Sequence, residues 1–551
     1  MDFKKWLILA VILLIAFSAR LYKVTEIPPS LNWDEVSIGY NAYSILKTGK
    51  DEWNQFLPLH FKSYGEYKLP VQIYGSIPGI AIFGLNELGV RITPVLYGTA
   101  TVLVVFFLTL ALFEASAIAL IAAFLMAISP WHIHLTRASF ESSFALFWFC
   151  LGLLFFIKSF KNRKYFLFSM IPFAISIYTY NTARVFTPLF IATNLLIYFK
   201  DFAKYKKIVF AGLILFAIML TPLIPFILSG EGSARYKLVS ITDDPGLVLR
   251  INEGRGNSNL PTPFPRLVHN KVTYVTAAVL DHYFAHFTPQ FLFVSGAPHR
   301  QHHVQGMGEL YYFQAPFLIL GLILLFRKKE KFRWVLISWV MLAYIPVAVT
   351  NDSIPHALRT LIAVPFYQIV SAYGGYYFFK FLLRKSKILF FVVLLVTVIF
   401  TSVNLFNYFK QYYTVYPYEY SRDWQYGYKQ VVDYIKLHEN EYDKIVFSRH
   451  FGEPHMFLMF FKSYDPSLFQ NAKNLNRFET FDWIRVLEFD KYYFPDLGDE
   501  GTRFEDVKEQ FKGQKLLFIG KSGDFPETSK VLYKVDFLNG NPAFVITDNS
   551  E

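Results

Sequence analysis

The residues best able to do chemistry sit in short polar runs beside long apolar ones. Leu31-Asn32-Trp33-Asp34-Glu35 sets two carboxylates side by side soon after the first apolar run. A carboxylate in that place is either a helix cap or a general base at a membrane surface. Tyr64-Gly65-Glu66-Tyr67-Lys68-Leu69-Pro70 puts a lysine just ahead of an apolar segment, where it either anchors at the interface or holds a phosphate as a point charge. Ser129-Pro130-Trp131-His132-Ile133-His134-Leu135-Thr136-Arg137, with Glu141 four residues on, offers imidazoles and a cation–carboxylate pair. On a helix that pair is an ordinary i,i+4 ion pair. Further along come His299-Arg300-Gln301-His302-His303 and the run Pro355-His356-Ala357-Leu358-Arg359, whose arginine heads another apolar stretch as a headgroup anchor or an anion site. Five of the 13 histidines fall within 282–303, without an acidic or cysteine ligand at a zinc spacing. Taken together, carboxylates, one lysine, two arginines and several histidines suit a reaction on a membrane-embedded phosphate ester, stabilised by positive charge.

Composition says what must position them. Of 551 residues, 54% are hydrophobic and only 17% charged, against about 45–50% and about 25% in globular chains. The chain is a polytopic membrane protein. Its single cysteine, Cys150, lies in an apolar run, which excludes a disulfide scaffold and a cysteine-bound metal. The net charge of +12 is uneven, with 36 Lys/Arg against 19 Asp/Glu up to residue 405 and 18 against 23 beyond it. The surplus lies in short loops between apolar runs, where it orients spans; no nucleic-acid partner is expected.

Eleven runs read as spans: Trp6–Tyr22, Arg91–Phe113, Ala117–Ser129, Ser143–Phe160, Tyr165–Tyr178, Val185–Phe199, Ile208–Leu228, Tyr311–Phe326, Trp334–Val349, Leu358–Leu382 and Ile388–Leu405. Leu69–Phe83 is ambiguous, since it carries Pro70, Gln72, Gly75, Pro78 and Gly79. Charge parity decides it. If that stretch does not cross, the clusters at Lys4-Lys5, 161–164, 204–207, 327–333 and 384–387 all fall on the cytoplasmic side. The expectation is therefore a multi-pass plasma (inner) membrane protein with a cytoplasmic N-terminus, an uncleaved first span and residues 69–83 as an interfacial or re-entrant helix. Residues 1–405 form a transmembrane module with large outer loops at 23–90 and 229–310, and 406–551 form a soluble extracytoplasmic α/β domain. In that domain helices are expected near Tyr428–Leu437 and Pro454–Phe461, and strands at Lys444–Ser448, Lys515–Ile519, Lys530–Asp536 and Pro542–Thr547.

The order and spacing of these motifs over residues 1–405 resemble the GT-C superfamily of polyprenol-dependent glycosyltransferases, above all the branch with dolichyl-phosphate-mannose protein mannosyltransferases and lipid A aminoarabinose transferases. The landmarks are Asp34-Glu35, Glu66-Tyr67-Lys68-Leu69-Pro70, the Ser-Pro…Arg…Glu run over 129–141 and Pro355-His356-Ala357-Leu358-Arg359. This chain departs from the family where Lys68-Leu69-Pro70 replaces Lys-Pro-Pro and Glu141 replaces Asp. The resemblance implies an all-α, GT-C-like membrane module and an inverting transfer of a sugar from a polyprenyl-phosphate donor to a protein, lipid or glycan acceptor on the outer face. It implies Asp34 as catalytic base, with Glu35 and Glu141 as further acidic residues, and Lys68, Arg137 and Arg359 on the donor phosphate. Glu66, His132, His356, His302 and His303 would support them. A lipid phosphate is already a good leaving group, so no cofactor or metal is obligatory. The competing reading is a transporter or flippase of a lipid-linked glycan. It requires ionisable groups along a path through the spans, and the central spans are almost without them.

Overall fold

The structure, a computed structural model, describes residues 2–480, 483–498 and 501–550. Each of the eleven apolar runs falls mainly on helix: Phe3–Leu21, Glu87–Phe113, Ser116–Ile128, Glu141–Ser159, Tyr165–Ile177, Asn181–Ile197, Lys206–Leu220, Gln314–Arg327, Arg333–Ala343 with Ile345–Ala348, Val364–Lys385 and Lys387–Lys410. Among the described residues four stretches are by themselves long and apolar enough to cross a membrane: Glu87–Phe113, Glu141–Ser159, Phe199–Leu228 and Lys387–Glu419. The ambiguous segment is a 14-residue helix, Pro70–Phe83, with proline at its first turn and Pro78 inside it. At about 1.5 Å per residue it falls short of a hydrocarbon layer roughly 30 Å thick.

Contacts divide the chain into two compact units that do not follow chain order. A helical unit comprises Met1–Tyr22, Pro94–Thr136 and Phe140–Phe409; a sheet-containing unit comprises Lys23–Thr93, Arg137–Ser139 and Lys410–Glu551. Residues 23–93 thus cluster with the C-terminal region.

In the helical unit, missing side chains let two helices touch. A Cβ on Gly374 would lie 2.0 Å from the Phe317 carbonyl oxygen, and one on Gly321 2.1 Å from that of Val370. Small residues at such crossings give backbone-close packing where lipid removes the hydrophobic drive between helices. The first helix is tied in by Arg20, which is fully buried. Its Nε donates to Thr136 Oγ1 at 2.9 Å, Nη1 to the carbonyls of Ala16 and Ala127 at 2.8 and 3.1 Å, and Nη2 lies 2.7 Å from His132 Nδ1.

The basic loops of this unit meet at one end. Tyr198 donates to the Lys331 carbonyl at 2.9 Å, Phe160 packs on Phe202 and Phe332, and Lys161 pairs with Glu114 at 2.5 Å. Tyr373 donates to Glu330 at 2.5 Å and packs on Phe113, while Trp6, beside Lys4-Lys5, packs on Phe107 in the second half of the Glu87–Phe113 helix. Glu141 begins the helix that ends at Ser159, so it lies at the opposite end of that helix from the 160–164 loop.

The other unit is built on a seven-stranded mixed sheet, in spatial order Asn476–Thr480, Trp483–Phe489, Tyr492–Tyr493, Lys444–Phe447, Leu516–Gly520, Pro542–Asp548 and Val531–Asp536. Lys444–Phe447 runs parallel to both its neighbours, and the remaining pairs are antiparallel. All four expected strands are present, as are the helices Tyr428–His438 and Pro454–Lys462. The three strands between residues 476 and 493 were not expected from the sequence. Their alternation is broken by charged and aromatic residues, and a bulge at Asn476/Arg477 shifts the register. One core joins this sheet to residues 23–93: Leu31, Val36, Tyr40 and Val90 pack with Val431, Ile445, Phe457, Phe460 and Ile519. Gly39 is required there, because a Cβ would lie 2.5 Å from the Phe460 ring.

Candidate active site

Asn32 caps the Trp33–Thr48 helix, accepting from the Glu35 N–H while Glu35 accepts from the Asn32 N–H. The cap is therefore not Asp34. Asp34 and Glu35 both occupy the first turn, where the helix dipole favours negative charge. Consecutive residues on a helix point about 100° apart, and the two carboxylates meet opposite fates.

Glu35 is turned inward and fully buried. Arg91 Nε donates to its Oε1 and Arg91 Nη2 to its Oε2, each at 2.9 Å. The Ser139 N–H donates to Oε1 at 3.1 Å and the Asn32 N–H to Oε2 at 3.3 Å. Arg91 donates further to the carbonyls of Val24, Pro28 and Ser30 at 2.9, 2.8 and 2.5 Å. Both oxygens of Glu35, which the resemblance implied as a catalytic acidic residue, are thus committed to protein donors. It is an anchor.

Asp34 faces outward, with its side chain 36% exposed, and forms an ion pair with Lys68, which is 4% exposed. Lys68 ends the short hairpin Phe61–Ser63/Glu66–Lys68 and lies 5.8 Å from the centre of the Tyr64 ring. Glu66, two residues earlier on the strand, shares the face of Lys68. The hairpin and the helix start are pinned together. Tyr64 donates to the Trp33 carbonyl at 2.9 Å, Gln425 Oε1 accepts from the Trp33 N–H at 2.7 Å, and the Ile484 N–H donates to the Tyr64 carbonyl at 2.7 Å. Trp483 stacks on Tyr64 at 5.7 Å and 8°, and packs on Trp33 at 5.8 Å.

Arg137 is fully enclosed rather than presented to a ligand. Nη2 donates to the Ile27 carbonyl at 2.8 Å, Nε to the Tyr412 hydroxyl at 3.2 Å, and the guanidinium lies over the Tyr412 and Tyr413 rings. Residues 136–139 form a turn, so Arg137 and Glu141 do not share a helix as their spacing allowed. The resemblance implied a donor-phosphate contact for Arg137, and here it meets Ile27, Tyr412 and Tyr413.

In the helical unit, Glu141 is the first residue of its helix and acts electrostatically on Arg184, whose Nη1 donates to the Gly232 carbonyl at 3.3 Å. Phe140 meets the His302 ring edge-on at 5.3 Å. His302 is stacked between His299, at 3.7 Å and 12°, and His356, at 5.0 Å and 28°. Arg359 pairs with Asp352 at 2.5 Å and donates to Thr350 Oγ1 at 2.8 Å. Glu141, His302, His356 and Arg359 thus remain parts of polar groupings in this unit.

Burial pushes His302 well below the usual imidazole range, and the neighbouring His299, His356 and Arg359 push it further. His286, which accepts from the His356 N–H at 3.0 Å, is lowered to about 4, chiefly by burial. His132 is also held low, first by burial and then by Arg20. The resemblance implied a supporting role for His132, and its place against Arg20 makes it part of the knot on the first helix. His303 differs: burial lowers it, but the Glu309 carboxylate at 2.9 Å and the Met307 carbonyl at 2.6 Å raise it overall. With both ring nitrogens engaged, His303, which the resemblance implied as a supporting residue, closes the 303–309 turn. Among the described residues no three His, Cys, Asp or Glu side chains converge to hold a metal ion.

The sequence reading missed Arg91, Arg184, Gln425 and Trp483. For Arg91 a signal existed: an arginine at the head of an apolar helix needs a partner. Gln425 and Trp483 reach the Asp34 turn from 392 and 450 residues away, and nothing local marks them.

The comparisons fit this geometry. Residues 75–226 match the family model described as dolichyl-phosphate-mannose-protein mannosyltransferase. The fold is similar to that of ArnT from Cupriavidus metallidurans in the apo state, at TM-score 0.55 and 12% identity over 99% of this chain and 97% of that one. It matches ArnT bound to undecaprenyl phosphate at TM-score 0.54 and 12% identity, over 100% and 99% of the two chains. The archaeal oligosaccharyltransferase AglB from Archaeoglobus fulgidus, in complex with an inhibitory peptide and a dolichol-phosphate, matches at TM-score 0.52 and 12% identity over 83% of this chain. This chain spans 63% of the length of AglB. No curated protein sequence matches the chain. At these identities the likeness establishes a shared fold, and with the family match it supports the GT-C resemblance.

Two outcomes follow. Arg91→Met leaves Glu35 as a buried, uncompensated charge and should cost about 3–5 kcal/mol; adding Glu35→Gln should recover much of it, as read by thermal unfolding in detergent micelles. The second concerns pH. An imidazole kept neutral in the folded state while its unfolded counterpart binds a proton means that stability falls as pH drops below about 6.5. For His286 that window runs from about 6.5 down to about 4, worth up to roughly 3 kcal/mol. The stability loss between pH 7 and 5 should therefore be smaller in His286→Gln than in the unaltered chain, whereas equal losses would show that His286 does not titrate on unfolding.

Proposed function

We propose that the chain transfers a sugar from a polyprenyl-phosphate donor to an acceptor hydroxyl at the outer face of the membrane, with inversion at the anomeric carbon. The observation that carries this reading is the Asp34–Lys68 pair: a part-exposed carboxylate beside a buried ammonium, in a chain with the fold of ArnT. Asp34 takes the acceptor hydroxyl proton. The acceptor oxygen bonds to the anomeric carbon as the bond from that carbon to the phosphate oxygen breaks, and polyprenyl phosphate leaves with the electron pair. In this reading Lys68, supported by Glu66, receives the phosphate charge, and the resemblance assigns Arg359 a phosphate role, Glu141 an acidic role and His302 and His356 supporting ones. A phosphate that draws Lys68 away also releases Asp34 to act as a base, which couples donor binding to activation of the acceptor.

The proposal includes eleven crossings with the basic end of the helical unit in the cytoplasm, as the positive-inside rule requires. The gathering of the basic loops at one end, with Glu141 at the far end of its helix, supports that orientation. It places the N-terminus inside and the C-terminal region outside, where sugar nucleotides are absent and a lipid-linked donor is the available one. Sugar and acceptor identity are left open by this reading.

The test is turnover of a panel of undecaprenyl- and dolichyl-phosphate sugars by protein in lipid, with candidate acceptors. Removing a general base typically costs about 10²–10⁴-fold, so Asp34→Asn should fall by that much with its fold intact. Undiminished turnover by Asp34→Asn would contradict the assignment.

A further inference from the structure

At the basic end of the helical unit lies a groove that the proposed chemistry does not use. It holds about 570 Å³ and is lined by Leu195, Phe199, Phe202, Val209, Phe210 and Leu213 together with Lys206 and Lys207. It forms where the Asn181–Ile197 helix gives way, through the short turns at 199–205, to the Lys206–Leu220 helix. Phe210 is 67% exposed, and only 11% of the apolar window in Phe199–Leu228 is buried. The groove therefore opens to hydrocarbon.

Its position along the unit is fixed by three contacts: Tyr205 donates to the Ser159 carbonyl at 3.5 Å, and Phe202 packs on Phe156 at 5.3 Å and Phe160 at 5.1 Å. These are the last residues of the helix that Glu141 begins. At about 1.5 Å per residue the groove lies roughly 27 Å along that helix from Glu141, toward the opposite leaflet from that residue. The charge around it is positive. Lys204 is neutralised by Asp201 at 3.1 Å, but Lys206 and Lys207 are exposed and have no acidic partner among the described residues. The exposed Arg163 and Lys164 lie in the adjoining 160–164 loop.

We propose that this groove binds an anionic glycerophospholipid of the basic-side leaflet, one acyl chain along the phenylalanine-lined trough and the headgroup phosphate on Lys206 and Lys207. Snorkelling lysines alone would favour no particular lipid. An apolar trough lined in part by two exposed lysines without an acidic partner among the described residues favours a headgroup with net negative charge. The site is independent of the transfer reaction and stands or falls without it.

Phe210→Trp supplies a reporter at an exposed position. The full chain carrying it, in mixed micelles, is titrated with phosphatidylglycerol or phosphatidylcholine bearing brominated chains, and quenching is read as the difference from the unsubstituted chain. Phosphatidylglycerol should quench at a mole fraction lower by roughly 30-fold, from about fivefold per lysine. Lys206→Gln with Lys207→Gln, both at exposed sites, should bring the two lipids together. Equal quenching by both lipids with the lysines present would overturn the proposal, as would a preference that survives their replacement. Absence of quenching by either lipid would show the groove covered by protein and overturn it as well.

Discussion

A guanidinium closed off from solvent sets the terms for the unit that carries Asp34. Arg91 is held by both oxygens of Glu35 and by the carbonyls of Val24, Pro28 and Ser30. Burying such a pair is costly unless every donor and acceptor is met, and here the Asn32 and Ser139 N–H groups complete the set on Glu35. One knot thereby ties the chain after the first span, the start of the Trp33–Thr48 helix, the Glu87–Phe113 helix and the turn at 137–139. Asp34 is aimed outward because its neighbour is fastened inward.

This asymmetry explains why adjacent carboxylates were indistinguishable in the sequence. Asp34 could have been a base or a helix cap, and nothing local showed that Glu35 would be turned inward to an arginine. What separates them is a rotation of about 100° and a partner 56 residues away. Lys68 was legible as a cation beside an interfacial segment, and the structure supplies the partner that the sequence could not name. His302 stacks on His356, which lies in a different sequence motif, whereas His303, next in the chain to His302, turns to Glu309.

The helices were readable because lipid demands long apolar runs, and each run is found on helix. Boundaries shifted where prolines intervene, as at Pro365, which sits in the first turn of Val364–Lys385 well after the apolar run begins. The partition of the chain was not readable. Hydropathy groups residues 23–93 with the spans that flank them, whereas packing of Val36, Tyr40 and Val90 against Phe457 and Phe460 groups them with the C-terminal sheet. Long-range packing of this kind leaves no local pattern. It gives the C-terminal region a definite physical task, since Gln425, Phe451 and Trp483 hold the turn that presents Asp34.

The central claim is that an incoming phosphate competes with Asp34 for Lys68. Binding of undecaprenyl phosphate to the purified full chain, measured by calorimetry in detergent, tests it most directly when the two members of the pair are neutralised in turn. Lys68→Gln should weaken binding by roughly tenfold or more, from the loss of a charged contact worth about 1.5–3 kcal/mol. Asp34→Asn should bind at least as tightly as the unaltered chain, because Lys68 is then relieved of its competitor. Equal weakening by both substitutions, or no binding by the unaltered chain, would contradict the account.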